Sequence, residues 1–94
     1  MFGTTGYLIA KAGMENGLKL YIERLGKIPG IVSISLYKIR GDKNDYVENI
    51  RWVDENTHDS ITSQPDFPKI YQELLDLLAE EPVWYSGNLV YTNL

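Results

Sequence analysis

From Trp52 to Phe67 the chain reads Trp-Val-Asp-Glu-Asn-Thr-His-Asp-Ser-Ile-Thr-Ser-Gln-Pro-Asp-Phe. An aromatic strand end runs into a polar connection where Asp54 can cap a short helical turn through Ile61. Ser63, Asp66 and Pro68 then supply the start signals of a longer helix. The passage therefore joins a strand to a helix with little slack. It also carries the only histidine of the chain, His58.

Upstream, Thr4 to Lys11 is β-prone around Tyr7, Leu8 and Ile9 and breaks at Ala12 and Gly13. Met14, Leu18, Tyr21, Ile22 and Leu25 then recur at helical spacing until Gly26, Pro29 and Gly30 stop them. Glu15, Lys19, Glu23 and Lys27 alternate in sign four apart, the pattern of a solvated helix face. Ile31 to Ile39 alternates Val32, Ile34 and Leu36 with Ser33, Ser35 and Tyr37, and a polar loop from Gly41 to Asp45 predicts a hairpin into Tyr46 to Val53. On that third strand Tyr46, Glu48, Ile50 and Trp52 share one side, and Val47, Asn49, Arg51 and Val53 the other.

In the second long helix Phe67, Ile70, Leu74, Leu77 and Leu78 form an apolar stripe, with Gln72, Glu73, Asp76 and Glu80 outward. Glu81 and Pro82 end it, and Val83 to Thr92 reads as a last strand. The order strand–helix–strand–strand–helix–strand is that of an α+β ferredoxin-like βαββαβ sandwich. Right-handed crossovers put both helices on one face of a four-stranded antiparallel sheet. A chain of 94 residues has room for one such domain, spanning 1–94. The other sheet face carries too much apolar and aromatic surface to meet water as one patch, so two copies are expected to pack sheet to sheet as a homodimer.

Composition removes several chemistries. With no cysteine, thiolate catalysis, disulfides and iron–sulfur sites are excluded, and one histidine cannot build a two-histidine metal site; no metal site is expected. A serine triad lacks a nucleophile elbow, and no glycine-rich phosphate loop appears. Residues 1–51 hold eight Lys/Arg against five Asp/Glu, and residues 52–94 hold one against eight, a poor distribution for gripping nucleic acid. No stretch approaches a membrane span and no leader-like tract opens the chain, so a cytoplasmic location is expected.

Four short features carry a resemblance over essentially the whole chain. They are Pro29-Gly30 at the entry to strand two, Trp52-x-Asp54 at the exit from strand three, the polar stretch to Pro65-Asp66-Phe67, and Glu81-Pro82 before the last strand. With them the chain resembles the antibiotic biosynthesis monooxygenase family, small dimeric α/β-barrel proteins. The resemblance implies oxidation of a phenolic or quinol small molecule by dioxygen with no cofactor, because a deprotonated electron-rich ring can itself pass an electron to dioxygen. The protein then has only to exclude water, orient the ring and stabilise the phenolate. It also implies the alternative met in related branches, a non-catalytic ligand-binding or signalling module.

Carried over residue by residue, Trp52 matches the pocket tryptophan of quinol-forming members. Where those place an asparagine, a tyrosine and an arginine, this chain has Glu48, His58 and Gln72. The Asn, Trp and His set of the haem-degrading branch falls on Gly6, Ile61 and Tyr71, which argues against that activity. His58 and Glu48 are thus the candidate catalytic proton handlers, and Trp52, Tyr71, Gln72, Tyr7 and Tyr37 the candidate substrate contacts. Each has a plainer alternative: Trp52 as core filler, His58 as a surface residue, the tyrosines and Tyr85 as packing or dimer contacts. Glu48, if buried, should have its carboxyl pKa raised. Arg51, opposite in parity to Trp52, is expected in the dimer interface, paired with an acid of the second copy.

Overall fold

The computed structural model describes residues 1–93. Its elements are β1 (Phe2–Ile9), α1 (Glu15–Leu25), β2 (Ile31–Lys38), β3 (Asp45–Trp52), α2 (Glu55–Thr62), α3 (Phe67–Leu75) and β4 (Val83–Asn88). The sheet order is β2-β3-β1-β4 with every neighbour antiparallel. This is the ferredoxin-like α+β sandwich that the order of segments predicts.

Period-two burial settles which face is which. In β1, Phe2, Thr4, Gly6 and Leu8 are buried while Gly3, Thr5, Tyr7 and Ile9 are half-exposed, and in β3 Tyr46, Glu48, Ile50 and Trp52 are buried beside them. Leu18, Tyr21 and Leu25 of α1 with Leu74 of α3 complete this core. The helices cover that face; the opposite face presents Tyr37, Val83 and Tyr85 to solvent.

At Gly30 the backbone takes φ 101°, a region that costs side-chain-bearing residues energy, and a Cβ there would collide with Thr57 of α2. The Gly30 carbonyl also accepts the Val53 N–H at 2.9 Å. Pro29-Gly30 thus starts β2 and seats α2 against its entrance. Asp54 caps α2 by accepting the Thr57 N–H at 2.7 Å. Hydrogen bonding to Thr57, through its side chain first and its backbone second, holds the Asp54 carboxyl below its ordinary pKa.

Strand β1 lies two residues earlier than Thr4 to Lys11, and β2, β3 and α2 shift by one residue at one or both ends; three larger features differ from the sequence reading. A β-bulge between Ile31 and Ser33 turns Val32 outward, so it does not share a face with Ile34 and Leu36. Helix α3 stops at Leu75 rather than continuing toward Glu81. Beyond it the Leu77 carbonyl accepts from Lys11 N–H, the Ala79 N–H donates to Ile9, and Leu78 bridges Ala10. Strand bonds to the end of β1 displace the last helical turn, while Leu78 stays buried. Strand β4 ends at Asn88, six residues long, because its only neighbour β1 begins at Phe2, the partner of Asn88. Leu89 and Tyr91 beyond it are exposed.

Candidate functional site

Between the sheet and the helices lies a cavity of about 330 Å³, at the lower end of small-molecule sites. Its sheet wall is Thr4 of β1, Glu48, Ile50 and Trp52 of β3, and Trp84 and Ser86 of β4. The helices close it with Tyr21 and Leu25 of α1, His58 and Thr62 of α2, and Phe67, Tyr71 and Leu74 of α3. Both tryptophans of the chain border this space.

Local chemistry fixes the rings. The Trp52 indole N–H donates to Thr4 Oγ1 at 3.2 Å, one strand away, and its ring meets His58 edge-on at 4.9 Å between centroids. His58 is also 5.0 Å from the Phe2 ring, and its Nδ1 lies 2.9 Å from Asp59 Oδ1, which leaves Nε2 without a fixed partner. Trp84 donates its indole N–H to Tyr71 Oη at 2.9 Å, and Tyr71 stacks on Phe67 with centroids 6.5 Å apart. The Tyr71 hydroxyl, being an acceptor there, keeps its own O–H to donate.

Glu48 is the anomaly of the site. It is fully buried, and neither carboxyl oxygen meets water or a hydrogen-bond partner. Across the sheet its neighbours are Gly6 and Leu36, which offer it no side-chain donor. A lone ionised carboxylate in such surroundings is costly, so burial pushes its pKa up to about 7. At neutral pH the group is therefore poised between acid and base, as a general catalyst needs to be. Tyr21, nearby on α1, is pushed well above its usual range, first by its own burial and then by the Glu48 charge.

Of the residues singled out from sequence, four come together on this cavity: Glu48, Trp52, His58 and Tyr71. Three do not. Gln72 follows Tyr71 by about 100° around α3 and points to solvent, where it donates to Asp76 Oδ1 at 2.8 Å. Tyr7 has the odd parity of β1 and stands on the opposite sheet face; its hydroxyl donates to Asp45 Oδ2 at 2.7 Å, a bond that raises its pKa. Tyr37 shares that face and is 64% exposed. Conversely, Trp84, Tyr21 and Phe67 line the cavity without having been singled out as contacts. Trp84 lies opposite Gly6 on β1, whose missing side chain leaves room for the indole.

The opposite face holds a second cleft, of about 350 Å³, lined among others by Thr5, Asn49, Arg51 and Tyr85. Asn49 there donates to Thr5 Oγ1 at 2.9 Å. No group of three or more His, Asp or Glu side chains suited to a metal ion occurs among the described residues. None of the described helices is long and apolar enough to cross a membrane.

No protein-family model matches the sequence, and no curated protein matches it significantly. Solved structures do. A point variant of SnoaB, a cofactor-independent oxygenase from Streptomyces nogalater, superposes with a TM-score of 0.79 at 19% identity, covering 98% of this chain and 95% of that one. A candidate antibiotic biosynthesis monooxygenase from Deinococcus radiodurans gives 0.75 at 11% identity over 98% and 95%. A further antibiotic biosynthesis monooxygenase gives 0.74 at 13% over 97% and 100%. At these identities the likeness shows a shared fold, end to end.

Proposed function

We propose that this chain is a cofactor-independent monooxygenase that oxidises a phenolic or quinol ring with dioxygen in the sheet–helix cavity, as one half of a homodimer. The observation that carries the reading is the fully buried, unpartnered Glu48 on the wall of an aromatic cavity. That SnoaB, on the same fold, is a cofactor-independent oxygenase supports the reaction class.

In this reading the ring lies among Trp52, Tyr71, Phe67 and Trp84. Glu48, with a pKa near 7, takes the phenolic proton once ring entry turns its buried carboxyl toward the cavity, and the buried wall favours a ring that leaves water behind. The resulting anion passes one electron to dioxygen, and the two radicals join at a ring carbon bearing hydrogen. Proton uptake gives a hydroperoxide; loss of the C–H proton with departure of hydroxide then leaves a carbonyl and water. One dioxygen is consumed, one oxygen atom stays on the ring, and no external reductant is needed. His58, through Nε2, is the second proton handler.

The second copy would cover the sheet face that the helices leave bare, where Tyr37, Val83 and Tyr85 are exposed. Arg51 belongs to that face by parity.

An oxygen electrode with a panel of quinols and polyphenols tests the reaction. Uptake of one dioxygen per ring with a quinone product is expected, and Glu48→Gln should slow it by about 10² or more. A ring that binds without any oxygen uptake would instead support the ligand-binding module.

A further inference from the structure

The cavity has a consistent charge character. None of the nine Lys and Arg residues borders it, and its one strongly acidic group is the buried Glu48. We infer that the cavity selects its occupant by charge, admitting neutral planar aromatic molecules and rejecting rings that carry a carboxylate or another anionic group. This rests on the reading of the cavity as a ligand site, and it narrows the substrate class within that reading.

An anionic ring that keeps its charge beside an ionised Glu48 would need a cation to offset it. The walls supply no Lys or Arg; the Tyr71 O–H can meet the single phenolate oxygen that forms as Glu48 takes up its proton, but it adds no charge against a second anion. The beginning of α3, the helix start that borders the cavity at Phe67, is a poor anion site. The Phe67 N–H donates to Gln64 O, Pro68 has no N–H, the Ile70 N–H faces Asp66 O, and the Asp66 carboxylate adds a negative charge there. On the outer surface Arg24 is engaged by Glu73 at 2.9 Å.

The titratable groups sharing the cavity with Glu48 come from each helix: Tyr21 from α1, His58 from α2 and Tyr71 from α3. Tyr21 is held neutral by burial, and a positive charge on His58 would be matched by Asp59 at 2.9 Å. Farther along β3, Tyr46 donates to Glu15, away from the cavity wall. A second negative charge therefore meets Glu48 with no Lys or Arg on the walls to offset it. Such a ligand enters only when Glu48 is protonated, so its affinity falls as pH rises through about 7.

Two rings of equal size separate the terms: 2-naphthol, neutral from pH 6 to 8, and 2-naphthoate, an anion throughout. Calorimetric titration, with the quenching of Trp52 and Trp84 fluorescence as a second readout, should give a naphthol affinity that does not fall over this range. The naphthoate affinity should fall by about tenfold. In Glu48→Gln the naphthoate slope should vanish, and in His58→Asn it should persist. Naphthoate binding as tightly as naphthol at pH 8 would overturn charge selection alone, as would a slope that survives Glu48→Gln or disappears in His58→Asn. Binding of neither ring at any pH would overturn the ligand-site reading with it. If Glu48→Gln does not fold, the wild-type pH series and His58→Asn decide the matter.

Discussion

The two faces of this sheet have hollows of nearly equal size, about 330 Å³ under the helices and about 350 Å³ on the open side, yet their chemistry is opposed. The covered hollow is walled by rings and aliphatic groups around one unpaired acid. The open one mixes Thr5, Asn49 and Arg51 with Tyr85, and its polar groups remain reachable by water or by a partner's polar groups. The contrast follows from strand parity alone: Glu48 and Arg51 are three residues apart on β3 and therefore face opposite ways. A charge is tolerable at low cost only on the solvated side, so the acid on the dry side is the one that calls for a use.

If the open face is an interface between copies, a charge placed on it should have the largest effect in the molecule. In a two-fold interface each substitution is present twice. Tyr85→Lys, at a residue 69% exposed in the protomer, should weaken self-association at least about a hundredfold while leaving the fold of the protomer unchanged. Sedimentation velocity with circular dichroism reads both, and a wild type that stays monomeric at micromolar concentration removes the dimer from the account.

Under the helices, the sharpest measurement is stability against pH. The folded Glu48 has its pKa raised from 4.5 to about 7, so between these values the native state holds more protons than the unfolded chain. Stability should accordingly be highest below about pH 4.5 for this group's contribution. It is then lost as pH rises toward 7, by about 3 kcal/mol in all at about 1.4 kcal/mol per pH unit. Urea titrations of wild type and Glu48→Gln at pH 5 and pH 8 isolate the group. The variant should lack this drop and be the more stable of the two at pH 8; a parallel pH response in both would mean that Glu48 is not buried uncompensated.

How much of this was readable beforehand divides along the same line. Alternation in β1 and β3 placed Trp52 and Glu48 together on the covered face, and it also put Arg51 opposite, because burial of one face enforces period two. The order of elements gave the topology. What failed was set by partners distant in sequence. The bulge at Val32, the early end of α3 and the short β4 depend on which backbone groups β1 and β3 offer, and no local pattern encodes that. Among site residues, Gln72 was drawn in by the family correspondence although its helix register already turned it outward, and Tyr7 and Tyr37 by their aromatic rings. Their places follow from helix angle and strand parity, and Trp84 was missed because its room opposite Gly6 comes from a strand pairing that no local pattern encodes.

That last pair gives the finest test of the difference between the faces. A Cβ on Gly6 would stand 2.7 Å from Trp84 Cζ3 and 2.9 Å from Cε3 and Cη2, on the covered face only. Gly6 does not have a positive φ, so alanine meets no backbone penalty there and the contact alone is probed. The indole must move off the strand, and the space beside it is the cavity. Gly6→Ala should therefore cost about 1–3 kcal/mol of stability from overpacking, read by urea titration. It should also stretch the Trp84–Tyr71 hydrogen bond and narrow the site, so that a two-ring ligand loses more affinity than a one-ring ligand of the same chemistry. Gly3→Ala on the open face, where the nearest atom to a new Cβ is Ile50 O at 3.7 Å, is the matched control and should leave ligand affinity unchanged. Equal losses for both ring sizes would mean that Trp84 yields away from the cavity and does not set its width.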